Sequence, residues 1–285
     1  MNELILFAAI QVMCEALPIS SSGHTILAQR LWYRLTNLSP TPFPEFFDHF
    51  LHGPTIFIIM IVFYKQWFTP IRLLITTQDI KLWELFLRIA TFVIIADSVT
   101  ALFYVLQHAG FKQLAFVHSG WTLFAGFIIT AGLLLSLVFL DKKNPTNTQP
   151  KILSYWSAAV IGFTQGCALV IPGLSRFAST YTIARWFGIT PKRALQFSFL
   201  IQFPLIFCAF LYNGVYTLIK TPGWHTLFSP HVLMILGVAT LCSLLLFWFS
   251  CTMAQWNKLW IFGLYMIIPI TLLLVDLLWL PKSGS

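Results

Sequence analysis

Apolar residues run through this chain in long stretches, and the stretches fall into two classes. Six are long enough to cross a bilayer, roughly 46–64, 83–106, 114–140, 194–219, 230–249 and 258–280, because about 20 apolar residues span the hydrocarbon layer. Two others, 4–17 and 152–171, are shorter and end at a proline beside a Ser-rich or Gly/Ser segment. A weaker helical stretch follows each, 22–33 and 177–188. Interrupted apolar segments at matching places in two halves are the pattern of a membrane-embedded site. Both pairs therefore predict re-entrant helical hairpins, which survive only where protein or a cavity surrounds the broken backbone. The expected fold is an all-α polytopic membrane protein with six transmembrane helices and two re-entrant hairpins.

The halves resemble each other. Gln11-x6-Pro18-x2-Ser21 recurs as Gln165-x6-Pro172-x2-Ser175, and Phe47-x6-Pro54-x-Ile56-Phe57 recurs as Phe197-x6-Pro204-x-Ile206-Phe207. This predicts one membrane repeat over 1–140, a cytoplasmic linker at 141–151 and a second repeat over 152–285. If each hairpin returns to its side of origin, ten Lys and Arg lie on one face and five on the other, with Arg88 and Arg176 inside the membrane. The positive-inside rule puts the richer face in the cytoplasm. Both termini then face outward, the hairpins enter from opposite faces, and the repeats are inverted.

Composition agrees. The chain is 58% hydrophobic and 9% charged, with a mean hydropathy of +0.81, against about 25% charged in a soluble domain. The early residues carry Glu3 and no basic run, so no cleavable signal peptide is expected. A net charge of +8 is scattered over short loops, which favours anionic membrane lipids over nucleic acid. The five cysteines lie in or beside apolar runs without CxxC spacing and read as small packing residues.

Two polar clusters stand out from this background: Glu15-Ala16-Leu17-Pro18-Ile19-Ser20-Ser21-Ser22-Gly23-His24 and Pro172-Gly173-Leu174-Ser175-Arg176-Phe177-Ala178-Ser179-Thr180. Ionisable groups at membrane depth are costly and mark function. Helices restarting after Pro18 and after Pro172-Gly173 would present free N–H groups around Ser20, Ser21, Ser22 and Ser175, and two such ends in one cavity make an anion site. Arg176 adds a planar fork suited to phosphate. His24 follows Ser20 and Ser21 by four and three residues, which puts them on one helical face. With Glu15, that is an activated-nucleophile arrangement. Asp48, His49 and His52 read as cavity lining or interfacial anchors, with a metal site as the alternative. Asp97 and Asp276 read as isolated buried polar groups.

These residues resemble the undecaprenyl pyrophosphate phosphatases, the bacitracin-resistance family, whose signature E-x-L-P-I-S-S-x-G-H matches Glu15 to His24 and whose P-G-x-S-R matches Pro172 to Arg176. The resemblance extends to Ile161–Gln165 and Phe197–Leu200. It implies an inner-membrane enzyme that removes the terminal phosphate of a polyprenyl pyrophosphate, a homodimer, and a site open to the outer face. It also implies Glu15 as the catalytic glutamate, Ser21 as nucleophile, His24 as acid/base partner and Arg176 as phosphate clamp, with Ser175 and Thr180 lining the site. A divalent cation, Mg2+ or Ca2+, with Glu15 as a ligand, is the cofactor such chemistry allows. Two positions depart from the family pattern. Gln11 stands where a second glutamate is usual, and Phe177 stands where a small residue follows the arginine. A polyprenyl-phosphate transporter and an inactive homologue are the competing readings. Glu15 and His24 around Ser21 favour hydrolysis.

Overall fold

The computed structural model describes residues 2–38, 45–77, 79–109, 119–143, 154–221 and 229–278. Among them there is no strand, and six helical segments are long and apolar enough to cross a membrane: Phe46–Thr77, Ile80–Gln107, Gly120–Leu140, Pro191–Lys220, Pro230–Gln255 and Trp260–Leu278. Each overlaps a span read from the sequence. Expected residues 114–118 and 279–280, and the linker at 144–151, lie outside the described residues.

In chain order the helices are α1 (Asn2–Glu15), α2 (Ser21–Thr36), α3 (Glu45–Phe50), α4 (His52–Thr77), α5 (Ile80–Ala109), α6 (Gly120–Lys143), α7 (Tyr155–Val170), α8 (Arg176–Trp186), α9 (Pro191–Ala209), α10 (Thr217–Lys220), α11 (Pro230–Gln255), α12 (Trp260–Tyr265) and α13 (Ile267–Leu278). A π-helical segment, Phe210–Tyr216, joins α9 to α10. Three spans are therefore interrupted. The first bends at Leu51, the fourth widens into the π segment, and the sixth breaks at Met266.

The short helices pair as α1 with α2 and α7 with α8, and each pair packs across the halves. α1 lies on α11 and α2 on α13; α7 lies on α5 and α8 on α6. The α5–α7 contact is made close by glycine: a Cβ on Gly162 would lie 2.3 Å from Ala96 O. Thr100 Oγ1 donates to both Ala96 O (2.9 Å) and Gly162 O (3.0 Å). Small residues and helix-to-helix hydrogen bonds are how membrane helices gain contact where lipid is as apolar as the protein.

α6 acts as a post between the two pairs. Near its start, a Cβ on Gly120 would lie 3.3 Å from Arg30 Cζ of α2. Near its far end, Trp186 Nε1 of α8 donates to Ser136 Oγ (3.1 Å). Gly120 and Ser136 are sixteen residues apart, about 24 Å along a helix. So the far ends of α2 and α8 sit at opposite ends of α6, and both chain breaks lie near its middle. The core around them is strongly aromatic: Phe199 lies 4.7 Å from Phe177, 4.8 Å from Phe247 and 5.6 Å from Phe63, centroid to centroid.

Asp276 is not isolated. It accepts from Arg30 (2.6 Å from Nη2) and Arg34 (2.9 Å from Nε), which ties α2 to α13. Two fixed guanidinium partners are what a carboxylate with 1% of its side chain exposed requires.

Gly162→Leu should lower the melting temperature in detergent, because overpacking typically costs about 1–3 kcal/mol. Gly132, with nothing within 4 Å of its would-be Cβ, is the internal control. Gly132→Ala should leave stability unchanged or raise it, since alanine is the better helix former by about 1 kcal/mol. Equal effects at both positions would contradict the packing described.

Candidate active site

The sequence interrupts two helices with Pro and Gly and restarts each with serine. Ser20 caps α2, its Oγ accepting from Gly23 N (3.2 Å), and Ser175 caps α8, its Oγ accepting from Ala178 N (3.2 Å). The structural repeat is therefore Ser20 with Ser175, one residue away from the Ser21–Ser175 match seen in the sequence. Past each cap, the first amides of the helix have no intrahelical acceptor. Ser20, Ser21 and Ser22 line the same cavity as Ser175, Arg176 and Phe177. The two N-termini thus meet at one space of about 590 Å3.

What brings them together is glycine and one threonine. A Cβ on Gly23 would lie 2.7 Å from Gly173 Cα, so the two restarts are in backbone contact. Gly173 takes φ +87°, a conformation open to glycine. Gly126 of α6 presses against the same turn, its would-be Cβ 2.1 Å from Pro172 O. Thr130, one turn on, donates to Gly173 O (2.9 Å) and accepts from Ser175 N (3.0 Å). The first break is held by α11, where Ser243 donates to Val12 O (2.9 Å) and Ser250 to Ala16 O (3.0 Å).

Glu15, at the end of α1, is buried in the cavity wall with 3% of its side chain exposed. His52 Nδ1 lies 2.6 Å from Oε1, Thr55 Oγ1 donates to Oε2 (2.9 Å), and Arg176 Nη2 lies 3.7 Å from Oε1. The His52 contact is a close polar approach rather than an aligned hydrogen bond, and neither Oε1 nor His52 Nδ1 has an aligned partner. Ser21 lines the cavity, and its hydroxyl makes no hydrogen bond among the described residues. Arg176, the first residue of α8, contacts Glu15 alone among charged groups described. A free hydroxyl, a buried carboxylate and a guanidinium therefore share one wall with two helix N-termini.

Gln11 also lines the cavity, and its amide donates to Asp48 Oδ1 of α3. An acid is thus present beside position 11 after all, supplied from another helix. Asp48, His49 and His52 are cavity lining, the first of the sequence readings for them. Among the described residues no three His, Cys, Asp or Glu gather around a metal-sized space.

Three expected positions are not on the cavity wall. His24 Nδ1 donates to Ser20 O (2.7 Å), Nε2 lies 3.3 Å from Tyr265 OH, and the ring stacks on Tyr265 and meets Phe127 edge-on. Its i,i+4 neighbour is the backbone carbonyl of Ser20, not a serine hydroxyl. Thr180 Oγ1 donates into its own helix, to Arg176 O (2.8 Å). Gly173 serves the close approach to α2 and α6. Phe177, expected beside Arg176, turns into the core against Phe199 and Tyr181 while still forming part of the wall.

His52 and Thr55 are the residues whose contacts the sequence did not reveal. The only sequence signal was a polar pair beside the start of an apolar span. Thr130 gave none, being a lone threonine in an apolar run.

With this geometry, the comparisons with known proteins fall into place. Residues 4–271 match the family described as Bacitracin resistance protein BacA. The chain belongs to that family. It is 32% identical over 213 residues to a protein of Treponema denticola named undecaprenyl-diphosphatase, covering 73% of each chain. It is 28% identical over 288 residues to undecaprenyl-diphosphatase 2 of Bacillus thuringiensis, covering 96% of this chain and 97% of the relative. An undecaprenyl-diphosphatase of Christiangramia forsetii is 32% identical over 208 residues, 72% of each chain.

Thr130→Val removes both bonds that pin the second break and orphans a buried C=O and N–H. Each orphaned group costs about 1–3 kcal/mol. Thermal unfolding in detergent should show that loss for valine and little loss for Thr130→Ser. Valine as stable as wild type would mean that the turn is held by other contacts.

Proposed function

We propose that this membrane protein is an undecaprenyl pyrophosphate phosphatase, releasing inorganic phosphate and returning the monophosphate carrier for envelope synthesis. The observation that carries the reading is the convergence of two serine-capped helix N-termini and Arg176 on one cavity that also holds Glu15 and Ser21. Helix N-termini and guanidinium forks are suited to phosphate oxygens. The family relatives carry the matching name.

In this reading the amides at the start of α2 and α8, with Arg176, grip the terminal phosphate. Ser21 Oγ attacks its phosphorus and gives its proton to Glu15. The bond to the bridging oxygen breaks, and the polyprenyl phosphate leaves. Glu15 passes that proton to the departing polyprenyl phosphate; water then opens the phosphoserine, its oxygen leaving on orthophosphate and one of its protons restoring the serine hydroxyl. The donors lie in a protein interior where preorganised electrostatics are strongest. His24 supports this from behind, fixing the first turn of α2 through Ser20 O. A divalent cation would offset the charge of the pyrophosphate, with Glu15 as the residue that would hold it. Glu15 is already engaged by His52, Thr55 and Arg176, which leaves it one ligand at most for a resident ion. Homodimerisation is part of the proposal on the family resemblance.

The same reading takes α1–α2 and α7–α8 as re-entrant hairpins of two inverted repeats, 1–140 and 152–285, with the site open to the exterior. Its support is the swapped packing of each pair on the opposite half and the placing of the α2 and α8 ends at opposite ends of α6.

Purified protein given a C55-type lipid pyrophosphate and a divalent cation should release phosphate; no release above a detergent blank from folded protein would end the phosphatase reading. Arg176→Lys keeps the charge and loses the fork. It should cost about 2–4 kcal/mol in transition-state stabilisation, the range for one preorganised donor, at unchanged folding. Near-wild-type turnover would place the phosphate elsewhere. For topology, single cysteines at Asn37 and Lys192 in a cysteine-free background should label from opposite faces, and labelling from one face would refute the inverted arrangement.

A further inference from the structure

Of the two histidines near the serine cluster, His24 is turned away from the cavity with Nδ1 spent on a backbone carbonyl and its ring packed between Phe127 and Tyr265. His52 is the histidine on the cavity wall in contact with Glu15. We infer that His52 is a positioning residue for the phosphatase reaction, clamping the Glu15 carboxylate from α4 so that its oxygen faces the serine and the phosphate. The inference rests on the functional reading above and assigns a role that this reading does not need.

Glu15 is the last residue of α1, and the contacts that hold its side chain come from other helices. Its two oxygens are taken by residues of the neighbouring helix one turn apart: His52 at Oε1 and Thr55 at Oε2. Positions i and i+3 share a helix face, so α4 presents both contacts at once and sets the carboxylate plane. Both contacts are buried: His52 has 8% and Glu15 3% of the side chain exposed. Arg176 approaches the same Oε1 from α8 at 3.7 Å. That oxygen thus faces the His52 imidazole and the Arg176 guanidinium at once. The π segment steadies the start of α4: a Cβ on Gly53 would lie 2.8 Å from the ring of Phe210, and Phe210 packs on Phe50. The clamp therefore sits on a packed element rather than on a loop, as reactive geometry requires.

A purely structural His52 would fill space and neutralise a buried acid. A positioning His52 acts through the close polar contact of its Nδ1 with Glu15 Oε1. His52→Gln and His52→Leu separate the two, because both are close to each other in size and only Gln can donate. Phosphate release from a C55-type lipid pyrophosphate should show kcat down at least tenfold for His52→Leu, with KM within twofold of wild type. His52→Gln should recover kcat to within about threefold, and the two variants should melt within a few degrees of each other. His52→Leu within twofold of wild type, or Leu and Gln equally slow, would overturn the inference while leaving the phosphatase reading intact. A wild-type protein that releases no phosphate would instead overturn the phosphatase reading, and this inference with it.

Discussion

A helix that stops inside a protein must find partners for the backbone groups it exposes, and the rest of this structure follows from that requirement. Two helices stop here, after Glu15 and after Val170. Their breaks are sealed by hydroxyls from spans of the opposite half: Ser243 and Ser250 of α11 for the first, Thr130 of α6 for the second. The seal is selective. Val12 O, Ala16 O, Gly173 O and Ser175 N are matched within the protein, while the first amides of α2 and α8 have no acceptor within their own helices. An unmet backbone donor is a liability when dry and a binding group when an anion arrives. The glycines Gly23, Gly126 and Gly173 let the two breaks come into backbone contact.

Much of this was legible in the residues. Pro18, Pro172 and Gly173 punctuate apolar runs too short to span, and the serines behind them are helix caps; that pattern places both breaks to within a residue or two. The six spans were legible because hydropathy over 20 residues is a strong signal. Bends at Leu51 and Met266 and the π segment at Phe210–Tyr216 were not, since they depend on neighbours. Arg176 was legible as a cavity residue for a physical reason, a guanidinium beside a helix start in an apolar run.

The misreadings share one cause: helical spacing says which residues are near, not which atoms meet. His24 does lie over Ser20, yet its partner is a carbonyl, because Tyr265 and Phe127 from distant parts of the chain hold the ring. Phe177 follows Arg176 in sequence but points about 100° away around the helix, into the aromatic core rather than across the guanidinium. Gln11 looked like a lost acid, and Asp48 from α3 stands beside it. Asp276 looked solitary because its arginines are more than 240 residues away. Glu15 was seen, but the histidine that grips it was hidden in a pair at the head of another helix.

The central claim is that one phosphate is held between two helix N-termini and Arg176, beside Ser21. The direct measurement is an experimental structure of the protein with a non-hydrolysable methylene-bridged analogue of the polyprenyl pyrophosphate. The account predicts the terminal phosphorus within hydrogen-bonding reach of the amides that begin α2 and α8, the Arg176 guanidinium turned onto its oxygens, and Ser21 Oγ in line with the bridging bond. A diphosphonate bound elsewhere, or bound in the cavity with Arg176 still on Glu15 and the α2 amides unused, would contradict it.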